Sequence, residues 1–339
     1  MEDQSVMEKD IQLTSAEMGK LWTTYIGNTM GKCVIRYYLK HVEDTDIKMV
    51  LEYALGLCNS FNQTIESIFV QSNFPIPIGM TDDDVNLDAP RLFYDDFYLF
   101  YLQYVGKAGV SIYSAAISIV TRKDIRDFYV NCLNNTVKLI TLVNDALQSR
   151  GLLKNSPITS PPGKVDFVQK QDFLNGFFGE LRPLHGLEVA HLFDSLNNDI
   201  TSKAIILGFS QVARSEKVKK FLLRGRDINQ KHIEIMSHKL INGNLPAPSI
   251  LDHLVSTSTT PPFSDKLMVY HKLDMFSMKI REYANGASLN GRRDLGAMYA
   301  KCLLDVSLYI EDGANITIEN GWMEEPPKVV NRDKLSQKD

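Results

Sequence analysis

Apolar residues recur at every third or fourth position along most of the chain, which is the period of amphipathic α-helices. In one stretch of the second half, the apolar positions are Val218, Phe221, Leu222, Gly225, Ile228, Ile235 and Met236. A later stretch has the same spacing at Leu295, Met298, Cys302, Val306, Tyr309, Gly313 and Ile316. Each set covers one face of a helix, which is the face that a bundle buries. The pattern therefore predicts an all-α protein.

The two halves of the chain are similar to each other. The segment RKDIRDFYVNCLNN from Arg122 matches RRDLGAMYAKCLLD from Arg292, at an offset of 170 residues. Further upstream the offset is 171, where NFPIP from Asn73 matches NLPAP from Asn244. Self-similarity at a fixed spacing is the signature of an internal repeat. We infer a tandem duplication, and we call the two copies the first and the second repeat.

Four long helices are predicted in each repeat. In the first repeat the pattern places them near residues 14–42, 45–72, 91–120 and 122–150. In the second repeat, Pro183 suits the first turn of a helix that runs to Val212, and Ser215 and Ser264 suit the N-caps of later helices. A long loop connects the second helix to the third, and ferritin-like bundles use one such long connection between two hairpins. The predicted fold is two tandem ferritin-like four-helix bundles.

The same pattern divides the chain into segments. The linker is KNSPITSPPGKV, residues 154–165, because proline, serine and glycine are concentrated there. It separates a first bundle at 13–153 from a second bundle at 166–327. The polar segments 1–12 and 328–339 are predicted to be tails.

Composition excludes several classes of protein. Lysine and arginine number 37 against 41 aspartates and glutamates, so nothing suggests the basic surface that nucleic acid needs. The longest charge-free part of the most apolar stretch, 108–121, is too short to span a membrane. The acidic N-terminus has no features of a secretory signal. The four cysteines form no CxxC pair and are typical of a reducing compartment, so we expect a cytoplasmic protein.

Four blocks of the second repeat resemble a known family. They are NLPAP, PPFSDKLM from Pro261, RRDLGAMYAKC, and EDGANITIENGW from Glu311. They are similar to a domain-of-unknown-function family of spore-forming bacilli, itself distantly similar to spore coat protein F. The resemblance implies two ferritin-like bundles and an association with spores. It implies no catalytic residue, because no activity is established for that family.

A metal centre is the one chemical site that the predicted fold suggests. Di-iron bundles take a Glu from each of two helices and a Glu-x-x-His pair from each of the others. In the second repeat Glu188 and His191 have that spacing, His232 lies on an apolar stripe, and His271 follows on the third helix. These four are the candidate ligands for iron, manganese or zinc. His271 can join the others only if the long connection does not return to the far end of the bundle.

A structural interpretation of the same residues stays open. The counterparts of the three histidines in the first repeat are Lys20, Phe61 and Tyr101, so that repeat is not expected to bind metal. A buried histidine is more often hydrogen-bonded to a polar neighbour than bound to a metal. Glu188 is placed where it can be such a partner for His191 or His232.

Two functional hypotheses follow, and a third is compatible with the composition. The first is a non-catalytic scaffold or interaction protein that associates with protein partners or with itself, in the context of the spore. The second is a metal-dependent oxidase or metal-storage protein that uses the second repeat. The third is a carrier of a small apolar ligand. Motifs for nucleotide binding and for a nucleophilic serine are absent, so no catalytic residue and no organic cofactor site are predicted.

Overall fold

A computed structural model describes residues 12–179, 181–289 and 291–332, and in this part of the chain the protein is all-helical. The described residues form eight long α-helices. They are α1 (Ser15–His41), α2 (Thr45–Gln71), α3 (Asp95–Ile117), α4 (Lys123–Ser149), α5 (Gly186–Val212), α6 (Glu216–Asn242), α7 (Asp265–Leu289) and α8 (Arg293–Glu319). Short 3₁₀ turns lie at 82–84, 171–174 and 252–254. The predicted tails, up to residue 11 and from residue 333, lie outside the described residues.

The predicted helices are confirmed, and two of their starts were wrong. Pro183 does not open α5, since His185 is the N-cap and accepts a hydrogen bond from the N–H of Glu188. The third helix begins at Asp95 and not near residue 91, because Phe93 is extended and pairs with Val255 of the other repeat. The N-caps predicted at Ser215 and Ser264 are present. Local periodicity located the helices, whereas contacts from elsewhere in the chain set these ends.

Each repeat is built from two helical hairpins, α1–α2 with α3–α4 and α5–α6 with α7–α8. In the second repeat the carboxylate of Asp265, at the start of α7, accepts the N–H groups of Arg214 and Ser215 between α5 and α6. Asp95 makes the equivalent pair of bonds in the first repeat, to residues 43 and 44. The third helix thus begins at the end of the bundle where the first helix finishes, so the long connection crosses the full length of the bundle. This is the connection that ferritin-like bundles use.

The two repeats pack on each other around a pseudo-two-fold axis. Val85 pairs with Phe263, and Phe93 pairs with Val255, in two antiparallel bridges. At the repeat offset, Val255 is the counterpart of Val85 and Phe263 is the counterpart of Phe93. Each contact is therefore matched by its mirror partner, which is the rule for an isologous dimer interface. The chain has the internal symmetry of a dimer whose subunits are covalently joined.

A single hydrophobic core continues through this interface. One cluster of buried side chains includes residues of all eight helices, and a smaller cluster fills one end of the first repeat. Cys33, Cys132 and Cys302 are buried free thiols, and Cys58 is half-buried and also free. No helix within the described residues is long and apolar enough to cross a membrane.

Candidate functional site

A cluster of buried polar side chains lies in the middle of the second repeat, and all four of its helices contribute. The centre is an ion pair between Lys279 Nζ of α7 and Asp199 Oδ1 of α5, at 2.6 Å, with both side chains fully buried. Lys279 also donates to the side-chain oxygen of Asn229 on α6. The hydroxyl of Tyr283 donates to both carboxylate oxygens of Asp199, at 2.8 and 2.7 Å. We call these residues, with the neighbours described next, the polar cluster.

Hydrogen bonds extend the polar cluster in two directions. Towards the surface, His232 Nδ1 lies 3.2 Å from the Tyr283 hydroxyl, and His232 Nε2 lies 3.3 Å from Asp305 Oδ2 on α8. Towards the other repeat, Asn229 Nδ2 donates to Ser202 Oγ at 3.1 Å. Buried networks in which each member has a partner hold helices in one register, because breaking any bond leaves a desolvated polar group.

Burial determines the protonation states in this cluster. Lys272 is fully buried on α7 and donates to Ser202 Oγ at 2.9 Å. Burial and the neighbouring Lys279 ammonium lower the pKa of Lys272 well below its usual value. Burial also lowers the pKa of His232, although Asp199 and Asp305 oppose the shift. The pKa of Tyr283 is raised by burial and by the Asp199 carboxylate, so its hydroxyl remains a donor.

The first repeat has no such cluster at the same place. The counterparts of His232, Lys272 and Lys279 are Phe61, Leu102 and Gly109, and Asn28 stands where the second repeat has Asp199. There the helices enclose a small, mainly apolar cavity of about 50 Å³. The polar cluster is therefore a property of the second repeat alone.

Of the four predicted metal ligands, only His232 belongs to the polar cluster. Glu188 lies at the start of α5, where its carboxylate accepts two bonds from Arg182, at 2.8 and 2.7 Å, and one from the N–H of Arg292 at 3.1 Å. Burial raises the pKa of Glu188, but these bonds outweigh it and the pKa lies below its usual value. Glu17 makes the equivalent bond to the N–H of Arg122 in the first repeat, at 2.8 Å. Glu188 thus joins the start of α5 to the start of α8.

The other two predicted ligands are far apart. His271 stacks near Phe209 at the end of α5, with ring centroids 5.5 Å apart. His191 is near the start of α5, eighteen residues before Phe209, which is about 27 Å along a helix. The long connection does return to the far end of the bundle, and this separates His271 from His191. The structure consequently does not bring the four predicted ligands together.

His271 instead lies at the pseudo-two-fold axis. Its Nε2 atom is 3.1 Å from the hydroxyl of Tyr101, which is its own counterpart in the first repeat. Burial, with a contribution from the Lys272 ammonium, lowers the pKa of His271 to about 3. A neutral imidazole and a tyrosine hydroxyl thus meet where two identical side chains of a symmetric dimer would meet.

The donor set of the polar cluster fits a lysine ammonium better than a divalent metal. Lys279 stands between Asp199 and Asn229, the oxygen donors that a metal would need. No group of three or more His, Cys, Asp or Glu in the part of the chain that the structure describes has an arrangement for metal binding. Iron, manganese or zinc binding by Glu188, His191, His232 and His271 stays a prediction without a common site to support it.

Sequence reasoning missed Asp199 and the two lysines. A signal existed for the lysines, because Lys272 and Lys279 are seven residues apart among Met268, Met275 and Phe276 and so share the apolar face of α7. No comparable signal marked Asp199, which became a candidate only when α5 and α7 were placed side by side.

The fold and the site together define a class of protein: a duplicated helical bundle whose repeats form an internal dimer. The chain belongs to the family described as "Protein of unknown function (DUF3231)", whose model matches it twice, at residues 1–165 and 172–335. The family resemblance inferred from the four sequence blocks is thereby confirmed. Among solved structures, a candidate spore coat protein from Bacillus halodurans is similar, with 19% identity and a TM-score of 0.40, over 44% of this chain and 97% of that one. None of the curated proteins matches the chain.

Proposed function

We propose that this protein is a non-catalytic helical scaffold that acts through contacts with other proteins or with further copies of itself. The observation that supports the proposal is the ion pair of Lys279 and Asp199 in the core of the second repeat, with neither side chain exposed. Four-helix bundles that carry out chemistry place their metal ligands at this position between the helices. Here the position is filled by groups that neutralise each other.

The internal dimer also supports a structural role. Its two crossover connections bridge to each other, and one core continues through the interface. Such a chain presents the outer surfaces of two bundles in a constant relative orientation. A constant spacing between two similar surfaces is what a scaffold needs in order to bring partners together.

The test is complementation of a gene deletion. The double variant Asp199→Asn/Lys279→Met removes the charges of the polar cluster and places at 199 the residue that the first repeat has. We expect this variant to restore the fitness of a deletion strain in mixed culture, carried through growth and sporulation. Loss of function in a variant whose far-UV circular dichroism and melting curve match the wild type would contradict a non-catalytic role.

Association with the spore is the finer part of this proposal, and the family resemblance motivates it. Quantitative mass spectrometry of coat extracts and of vegetative cytosol tests it directly. We expect enrichment of the chain in the coat fraction, and a chain found only in vegetative cytosol would contradict this part.

Metal binding remains the alternative hypothesis. Elemental analysis of untagged protein, purified from iron- and manganese-supplemented cells, distinguishes the two. About one or two equivalents of metal per chain in the wild type, lost in His232→Ala with the helical content unchanged, would favour a metalloprotein over the scaffold.

A further inference from the structure

A polar pocket of about 310 Å³ opens between α1, α2 and the connection that follows α2 in the first repeat. Side chains of α1 on its wall include Tyr25, Thr29, Lys32, Cys33 and Arg36, and those of α2 include Asn59, Asn62, Gln63 and Glu66. Its size is in the range of pockets that hold small molecules. We call it the first-repeat pocket.

The duplication provides an internal reference for this pocket. The counterparts of Tyr25, Thr29, Cys33, Arg36 and Asn62 in the second repeat are Leu196, Ile200, Ala204, Leu207 and Ile233. Four of these five are buried in the hydrophobic core, with exposed fractions from 0% to 6%. The same helix positions that pack apolar side chains in one repeat therefore carry hydroxyl, thiol, amide and guanidinium groups in the other.

Asn62 is the group that most needs a partner. Its side chain is only 8% exposed, and its Oδ1 atom has no hydrogen-bond partner among the described residues. Burying an amide without a partner costs on the order of 1–3 kcal/mol in proteins. A ligand hydroxyl that donates to this oxygen would remove the penalty.

Lys32 is a cation without an ion pair. In the second repeat its counterpart Lys203 is bound to Asp252, at 2.6 Å. In the first repeat Asp82, the counterpart of Asp252, is bound by Arg36 instead. Within the described residues Lys32 then has no carboxylate within ion-pair distance, although it lines the pocket. The substitution of arginine at position 36, where the second repeat has leucine, releases one positive charge at the rim.

The roof of the pocket is held by both repeats. Glu324, which follows α8, accepts the N–H groups of Ile78 and Gly79 at 2.9 and 2.6 Å. Thr29 accepts the N–H of Met80 at 3.0 Å. Gly79 has φ of 65°, and a Cβ atom there would collide with Thr29. The roof is thus placed by specific contacts over the polar wall, and the pocket is open from the side.

We propose that the first-repeat pocket binds a small hydroxylated carboxylic acid, of the type of a sugar acid. The carboxylate would pair with Lys32, and the hydroxyl groups would bond to the amides on α2, above all to Asn62 Oδ1, and to the Glu66 carboxylate. The amide and hydroxyl lining suits a molecule rich in hydroxyl groups, and the single free cation suits one acidic group. This inference adds a ligand to the proposed scaffold and does not depend on its partners.

Isothermal titration calorimetry with D-gluconate tests the proposal, with D-glucose as the neutral analogue and glutamate as an amino-acid control. We expect gluconate to bind with a dissociation constant below about 1 mM and glucose at least tenfold more weakly, because one charge-assisted bond adds on the order of 1.4 kcal/mol or more. Lys32→Gln should weaken gluconate binding at least tenfold. Lys48→Gln, at another exposed lysine of the same repeat, should leave it unchanged.

Asn62→Ile introduces the residue that the second repeat has at this position, so we expect it to fold and to abolish binding. If that variant does not fold, Lys32→Gln still decides, because its side chain lies at the surface. Equal affinity for gluconate and glucose, unchanged binding in Lys32→Gln, tighter binding of glutamate, or the absence of heat for every sugar acid tried at millimolar concentration would overturn the proposal. None of these outcomes bears on the scaffold proposal, which complementation tests separately.

Discussion

Replacing Lys279 with methionine should destabilise the protein strongly. Methionine fills a similar volume but leaves the Asp199 carboxylate fully buried, with only the Tyr283 hydroxyl to stabilise its charge. Removing one partner of a buried ion pair costs about 3–5 kcal/mol. We expect the free energy of unfolding of Lys279→Met to fall by that amount. The double variant Asp199→Asn/Lys279→Met should lie within about 2 kcal/mol of wild type, because asparagine is already buried at the equivalent position of the first repeat.

Urea unfolding at pH 7, followed by far-UV circular dichroism, measures these differences. Trp22 and Trp322 lie in different repeats, so fluorescence reports on both, and coincident transitions would show that the two repeats unfold together. The reasoning predicts a coupling energy of at least about 2 kcal/mol in the double-mutant cycle. A loss below about 1 kcal/mol in Lys279→Met, or a double variant that equals the sum of the single variants, would refute it.

Three further predictions concern other positions. The folded protein binds no proton at His271 between pH 6.5 and about 3 whereas the unfolded chain does, so stability should fall as the pH drops from 7 to 4, and His271→Phe should make this slope shallower by up to about 1.4 kcal/mol per pH unit; equal slopes in urea titrations would contradict this. Glu188→Gln should cost on the order of 2 kcal/mol in the same assay, because a charge-assisted acceptor of three donors is weakened, and a melting curve like that of wild type would argue against it. A Cβ atom at Gly286 would lie 2.6 Å from the ring of Tyr299, so Gly286→Ala should lose about 1–3 kcal/mol, whereas Gly296→Ala, with open space around it, should be neutral or slightly stabilising; similar effects at both glycines would show that the packing is not the cause.

The polar cluster illustrates why sequence reasoning stopped short of the site. Asp199 and Lys279 are eighty residues apart, and nothing near either residue in the chain indicates the other. The long connection between α6 and α7 brings them together, because it returns the chain to the end of α5 before α7 begins. The same return of the chain separates His271 from His191, which the local spacing had placed in one candidate set.

The sequence by itself determined the eight helices, the duplication and the family, because helical periodicity and repeated motifs are local properties that survive in one dimension. It also identified His232 as an unusual polar residue on an apolar stripe. Only the tertiary structure decided which counterparts meet across the pseudo-two-fold axis, which lysine neutralises Asp199, and that Asn62 and Lys32 are left without partners. Those outcomes depend on how two similar units dock and on which charges are already paired, and burial and pairing exist only once distant segments are packed against each other.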